Sequence, residues 1–265
     1  MTSGQSKLVT LQWKIRGRVM HELGKVAARG GQTLVADPHK NWNGWLGDAA
    51  KASRSRLFEF TRPTFVIDVG ANRGQYAGDV REMDPKIRIA SYEPQRECLD
   101  ALIAASANDP NWTVVHAAVG AEKGELTLNN SGNELSSSLL PMAKAHQDAA
   151  PESRYVSTEV VDVRRLDDEL ASINCSPTDR VWLKVDTQGY EWPVLLGATE
   201  LLKQTVAIEL ELSLVTMYEG QKLFTELVAE MASLGFSLHS LLEVLVDPKT
   251  MRLFQVDGLF VADRQ

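Results

Sequence analysis

The chain has 265 residues, is 44% apolar and 24% charged, and carries a formal net charge of −7. That length suits one α/β domain with additions and a sizeable core. The acidic balance argues against a general nucleic-acid binder, and no apolar run approaches the roughly 20 residues that cross a bilayer.

The charge is uneven. Residues 1–30 hold six basic side chains, Lys7, Lys14, Arg16, Arg18, Lys25 and Arg29, against Glu22 alone. That segment stands at +5, leaving the remainder at −12. Leu11, Trp13, Ile15, Val19 and Leu23 are interleaved with it. It reads either as a packed helix with a solvated basic face or as a segment lying on an anionic membrane surface. It lacks the charged-then-apolar layout of an export signal, so the expected compartment is the cytoplasm. Cys98 and Cys175 lie far apart, without a CxxC, and are expected to be reduced buried thiols. Residues 1–60 read as a helical or irregular extension. Its turn-rich stretch from Asp37-Pro38 to Trp45 suits a lid or a connector. Residues 61–265 read as the main domain.

From residue 64 the pattern alternates. Strands are expected at 64–69, 87–93, 112–119, 181–186 and 205–212. Helices are expected at about 74–83, 94–106, 189–203 and 220–234. Such alternation implies a parallel sheet with helices on both faces. Between 120 and 163 the alternation breaks, with extra strands at Gly124–Leu128 and Tyr155–Val163 around a Ser-rich loop, Ser131–Ser138. Phe236–Val246 and Arg252–Ala262, around the turn Asp247-Pro248-Lys249-Thr250, form an antiparallel hairpin. Ligands of such sheets sit beyond the carboxyl ends of the strands. Asp68, Glu93 and Asp186 fall at expected strand ends and would converge there.

The most informative stretch runs from Phe65 to Gly74, Phe-Val-Ile-Asp-Val-Gly-Ala-Asn-Arg-Gly. An apolar run ends in Asp68 and enters a glycine turn, and Glu93 closes the next apolar run 23 positions beyond Gly70. This is the layout of a nucleoside-binding βαβ unit. Asn72 takes the middle glycine position of a GxGxxG, so a bare pyrophosphate cradle is not the match. A ligand with an ammonium and a carboxylate suits Asp68 and the turn amides, and Glu93 can take both ribose hydroxyls. The plainer readings are a tight turn with a capping Asp68, and a Glu93 that caps the next helix, which Pro94 opens.

In Leu183–Glu191, alternation puts Lys184 and Asp186 on one strand face. A charged pair on a central strand is costly unless paired or functional. Asp186 would lie beside the reactive centre, and Glu191 begins the next helix. Glu209 and Glu211 share a face of the following strand. With Asp186 they can form a carboxylate cluster able to deprotonate a hydroxyl or bind a hard cation. Either can equally hold Lys184 or cap a loop. The histidines at 21, 39, 116, 146 and 239 show no metal-ligand spacing. His116 reads equally as a core or adenine-edge residue or as a catalytic one, and His239 can reach the site mouth. A nucleophile elbow and a P-loop lysine are both missing from the sequence.

Together these motifs resemble the FkbM-type methyltransferase family. The likeness rests on Ile67 to Gly74, Glu93-Pro94, Ala117-Ala118-Val119-Gly120, Ser136-Ser137-Ser138-Leu139, Leu183 to Glu191, Leu195-Leu196-Gly197-Ala198 and Ile208 to Glu211. It runs from about residue 64 to 245. It implies a Rossmann-like class I methyltransferase fold: a mixed seven-stranded α/β sheet with helices on both faces and a C-terminal antiparallel hairpin, after a helical extension. It also implies S-adenosyl-L-methionine as cofactor and a hydroxyl of a sugar, oligosaccharide or glycolipid as acceptor. The candidate cofactor contacts are then Asp68, Gly70, Ala71, Asn72, Gly74, Glu93, Pro94, Ala118 and Asp186. The candidate reaction centre is Asp186 with Lys184, Glu191, Glu209 and Glu211. A divalent metal is compatible with these carboxylates but not expected, and a homodimer is compatible with the chain. Two rivals stay open: a nicotinamide-dependent sugar reductase or epimerase, and a non-catalytic cofactor-binding subunit of a glycan-assembly complex.

Overall fold

A computed structural model describes residues 42–247 and 250–264, with side chains from Lys51 onward. The basic segment 1–30, the turns near Asp37, the side chains of Trp42 and Trp45, and Pro248-Lys249 lie outside the described residues. The chain divides after Ser55 into two compact units, and the second, Arg56–Gln265, holds the sheets and the site. Among the described residues no helix is long and apolar enough to cross a membrane.

Helix α1, Trp42–Thr61, precedes β1, Phe65–Val69. Then come α2, Gln75–Met83; β2, Arg88–Tyr92; α3, Arg96–Ser106; and β3, Trp112–Val115. Three strands follow that build a second sheet: β4, Ala118–Val119; β5, Gly124–Ser131; and, after α4, Lys144–Ala149, β6, Tyr155–Arg164. The alternation resumes with α5, Leu166–Glu169; β7, Val181–Val185; α6, Glu191–Leu196; β8, Thr205–Ser213; and α7, Phe224–Ser233. The closing hairpin is β9, Phe236–Val246, and β10, Leu253–Ala262.

The main sheet has seven strands in the order β3-β2-β1-β7-β8-β10-β9. β1, β2, β3, β7 and β8 pair in parallel, while β10 runs antiparallel to both its neighbours. Every residue of β1, β7 and β8 is buried, the signature of central parallel strands covered on both faces. This is the mixed seven-stranded sheet with a C-terminal hairpin that the family resemblance implied.

Register places Asp68 beside Lys184, and Lys184 beside Glu209. Partners in register share a face, so three charged side chains form one row across β1, β7 and β8.

Three expected elements differ. The strand anticipated at 112–119 is two: β3 ends at Val115, and β4 pairs with β6 in the three-stranded sheet β4-β6-β5. The His116 ring bonds the Pro94 carbonyl at 3.0 Å, and the chain turns there. The helix anticipated at 189–203 stops at Leu196. Gly197 packs so closely that a Cβ would lie 2.0 Å from the Gly120 carbonyl oxygen. The helix anticipated from 220 begins at Phe224, where the Glu226 carboxylate accepts from the Leu223 N–H at 2.9 Å.

Candidate active site

A cavity lies past the carboxyl ends of β1, β2 and β7, about 680 Å³ with the open solvent at its mouth included. Its polar end is built by the turn after β1. Gly70 and Asn72 adopt left-handed backbone, with φ of +80° and +48°. The turn aims the Asn72 N–H at the Glu93 carboxylate, 2.6 Å away, and the other Glu93 oxygen accepts from the Gln95 N–H at 2.7 Å. A carboxylate offers about four acceptor sites, so two remain for a ligand. Burial pushes the Glu93 carboxyl up to about 7, against the pull of these two amide bonds. Pro94, Ala117, Ala118, Val119, Leu128 and Leu139 give the cavity an apolar shelf.

Asp186 follows β7 and lines the cavity opposite. Its Oδ2 sits 3.4 Å from Lys184 Nζ, and its Oδ1 accepts from Gln188 Nε2 at 2.9 Å. Lys184 itself does not line the cavity. It lies behind, 3.5 Å from Asp68 Oδ1 and 3.2 Å from the Gly70 carbonyl that its ammonium donates to. Burial works against the Lys184 charge, but Asp186 and Asp68 outweigh it and hold the pKa above the usual lysine value.

The remaining candidates separate by location. Asp68 is fully buried and off the cavity wall; burial raises its pKa while Lys184 draws it back. The ammonium that Asp68 meets here is that of Lys184. Ala71 and Gly74 do not line the cavity either. A Cβ on Gly74 would lie 2.9 Å from the Trp112 ring, so this glycine serves packing. The Glu191 carboxylate accepts from Thr187 N–H, Thr187 O–H and Gly189 N–H, at 3.0, 3.2 and 3.0 Å. It holds the loop that carries Asp186, and burial lifts it to about 7. Glu209 accepts from the Tyr76 hydroxyl at 2.8 Å, inside the protein. Glu211 accepts from Gln188 Nε2, and burial with nearby Asp186 and Glu191 pushes its pKa well up. The expected cluster of Asp186, Glu209 and Glu211 is therefore divided: Asp186 faces the cavity, and both glutamates lie behind it. Among the described residues no group of three or more His, Cys, Asp or Glu is placed to hold a metal ion. His116 braces Pro94 from outside the cavity, and His239 is exposed on β9. Lys222 lies 4.9 Å over the Trp192 ring.

Sequence reasoning passed over four residues here. Gln188 and Tyr190 line the cavity within an already singled-out motif. Glu134, also in the wall, is held by Arg73, whose Nη2 lies 2.6 Å from its Oε2. Arg73 adjoins the glycine turn, a signal that was available; Glu134 had none.

The model of the methyltransferase FkbM domain matches residues 68–238. The chain belongs to that family. The match takes in both sides of the cavity, from Asp68 through Glu93 and Asp186 to the start of β9. Among solved structures, this FkbM-family chain is similar to the FkbM methyltransferase of Methylobacillus flagellatus, at 14% identity and a TM-score of 0.44, over 74% of this chain and 43% of that one. The chain thus spans less than half the length of that relative. It is also similar to the magnesium protoporphyrin IX methyltransferase of Synechocystis, solved with bound S-adenosylmethionine, at 8% identity and TM-score 0.44, over 92% and 96% of the two chains. A third is Aeropyrum pernix fibrillarin, at 9% identity and TM-score 0.42, over 74% and 66%. No curated protein matches this FkbM-family sequence.

Proposed function

We propose that this chain is an S-adenosylmethionine-dependent O-methyltransferase whose acceptor is a hydroxyl of a sugar, oligosaccharide or glycolipid. The observation that carries the reading is the meeting of Glu93 and Asp186 on one cavity in an FkbM-family chain. The donor set suits the nucleoside. Glu93 has acceptor sites for ribose hydroxyls, and the Pro94 to Leu139 shelf suits a flat base. The acceptor class rests on the family resemblance.

When bound, the cofactor supplies a sulfonium methyl already activated for displacement. The chain then has to align an acceptor oxygen and remove its proton. Asp186 is the base: its carboxylate is the one on the wall at the β7 end, and it takes the hydroxyl proton as the new C–O bond forms. Lys184, held behind the wall, orients Asp186 instead of meeting the acceptor.

The nicotinamide rival fares worse against the same wall. Among the described residues its ionisable groups include Glu93, Glu134 and Asp186 but no Lys, Arg or His. A pyrophosphate would face three carboxylates there, and the cations nearest them are already engaged, Arg73 with Glu134 and Lys184 with Asp186.

The test is methyl transfer from isotopically labelled S-adenosylmethionine to whole-cell glycan extracts, followed by mass spectrometry. The expected product is a methylated glycan. Asp186→Asn is expected to bind S-adenosylhomocysteine and lose turnover. Normal turnover in that variant removes Asp186 from the role, and tight NADH binding with none of S-adenosylhomocysteine removes the methyltransferase reading.

A further inference from the structure

We propose that Gln188 is the positioning residue for the Asp186 carboxylate, and that Tyr218 fixes the face its amide presents. The proposal rests on Asp186 acting as the base.

A carboxylate at a strand end, about one-third exposed, turns about its side-chain bonds unless something grips both oxygens. Lys184 grips Oδ2 from within β7, and Gln188 grips Oδ1 from the loop beyond it. The two grips come from opposite sides and set the plane of the group. In-line transfer needs the base lone pair within hydrogen-bond reach of the attacking oxygen, so that plane matters to rate.

Gln188 is itself over-determined. One hydrogen of Nε2 goes to Asp186, and the other to Glu211 at 3.0 and 3.1 Å. Its Oε1 accepts from the Tyr218 hydroxyl at 2.7 Å. A reversed amide would turn its oxygen toward two carboxylates and its N–H₂ toward the Tyr218 hydroxyl. Only the present orientation gives Asp186 Oδ1 a donor. The backbone is held as well. Gln188 sits at φ +54°, where residues other than glycine are uncommon, and its carbonyl accepts from Ser138 Oγ at 2.7 Å. Tyr218 is fully buried, and its hydroxyl also reaches the Ser136 carbonyl at 3.2 Å. Gly189 lets the loop press on Tyr218, since a Cβ there would lie 2.9 Å from the Tyr218 Cβ. A strained, pocket-lining residue bonded at five points marks a position where geometry is maintained at some cost.

The experiment compares Gln188→Met, Tyr218→Phe, Asp186→Asn and the double variant Gln188→Met with Asp186→Asn. Each is titrated with S-adenosylhomocysteine by calorimetry, which also reports that the fold survives. Each is then assayed for labelled methyl transfer to the whole-cell glycan extract. Gln188→Met should bind S-adenosylhomocysteine within about threefold of the unmodified protein yet lose about 100-fold in limiting rate, with KM for the methyl donor steady. Tyr218→Phe should lose less, in the same direction. In the Asp186→Asn background Gln188→Met should add no further loss, because the group it positions is gone. Normal turnover in Gln188→Met beside an inactive Asp186→Asn overturns the proposal and leaves the base reading intact. Additive losses overturn it too, as does loss of S-adenosylhomocysteine binding in Gln188→Met. Full turnover in Asp186→Asn, or no transfer by the unmodified protein, overturns the base reading and this proposal with it.

Discussion

Gly70 and Asp186 meet through backbone alone: a Cβ on Gly70 would lie 1.9 Å from the Asp186 carbonyl oxygen. The Asp186 N–H donates to the Val69 carbonyl at 3.0 Å, so the ends of β1 and β7 are joined at the point where the glycine turn begins. Gly70 is at φ +80°, which costs an L-residue roughly 1–2 kcal/mol before the overlap is counted. Gly70→Ala should therefore lower stability by about 3 kcal/mol or more and move both cavity walls. Calorimetric melting and S-adenosylhomocysteine titration check this. Wild-type values for both would mean the two strand ends separate freely.

Lys184 is the cation beside the buried Asp68 carboxylate, at 3.5 Å, and it also grips Asp186 and the Gly70 carbonyl. Removing one partner of a buried pair leaves the other charged in a poor solvent, a loss of about 3–5 kcal/mol. Lys184→Met should then melt lower by about 10 °C, taking 2–4 °C per kcal/mol for a unit of this size. If Lys184 instead meets the acceptor directly, turnover would fall with the melting temperature unchanged. Differential scanning calorimetry beside the methyl-transfer assay separates these outcomes.

The parts of this site that were legible in the sequence are local ones. The run from Phe65 to Gly74 announces a strand and a turn within ten residues, and Glu93 and Asp186 each close an apolar run. Strand ends and glycines are written in consecutive residues, so their meeting at the sheet edge follows from topology. What was not legible depends on register between strands. Nothing near Asp68, Lys184 or Glu209 tells that the three stand side by side, and that row is what consigns Asp68 and Glu209 to the interior. Gln188 and Tyr218 lie 30 positions apart and share one hydrogen bond. The break at His116 was hidden because Val114 to Val119 reads as one apolar run that spans two sheets.

The division of the carboxylates carries its own prediction. Glu209 shares a strand face with Glu211, yet its carboxylate is bonded to the Tyr76 hydroxyl, which in turn accepts from the Trp182 indole N–H at 2.7 Å. Glu209→Gln keeps an oxygen for Tyr76 and removes only charge. It should leave S-adenosylhomocysteine affinity and methyl transfer within about threefold of the unmodified protein, a difference under roughly 0.7 kcal/mol. Asp186→Asn measured alongside should lose roughly 100- to 10,000-fold in rate. A loss of two orders of magnitude in Glu209→Gln with binding intact would transfer the base role to Glu209.

Glu93 gives the pH dependence, with two opposite signs. Burial lifts its carboxyl to about 7 in the folded protein, from an ordinary glutamate value of 4.5. The folded state therefore holds this proton more tightly than the unfolded chain. Its contribution to stability is full below pH 4.5 and is lost as pH rises to about 7, amounting to roughly 3 kcal/mol at 1.36 kcal/mol per pH unit. Ribose binding runs the other way, since the ionised carboxylate is the better acceptor for two hydroxyls. Affinity for S-adenosylhomocysteine should fall as pH drops through 7, approaching tenfold per unit below it if only the ionised form binds. Glu93→Gln should abolish that slope, weaken binding at pH 8, and remove the stability loss between pH 4.5 and 7. Calorimetric titration from pH 5.5 to 8.5, with melting curves of the ligand-free protein over the same range, reads both signs at once. Affinity that is flat with pH, or that rises as pH falls, would take Glu93 out of ribose recognition.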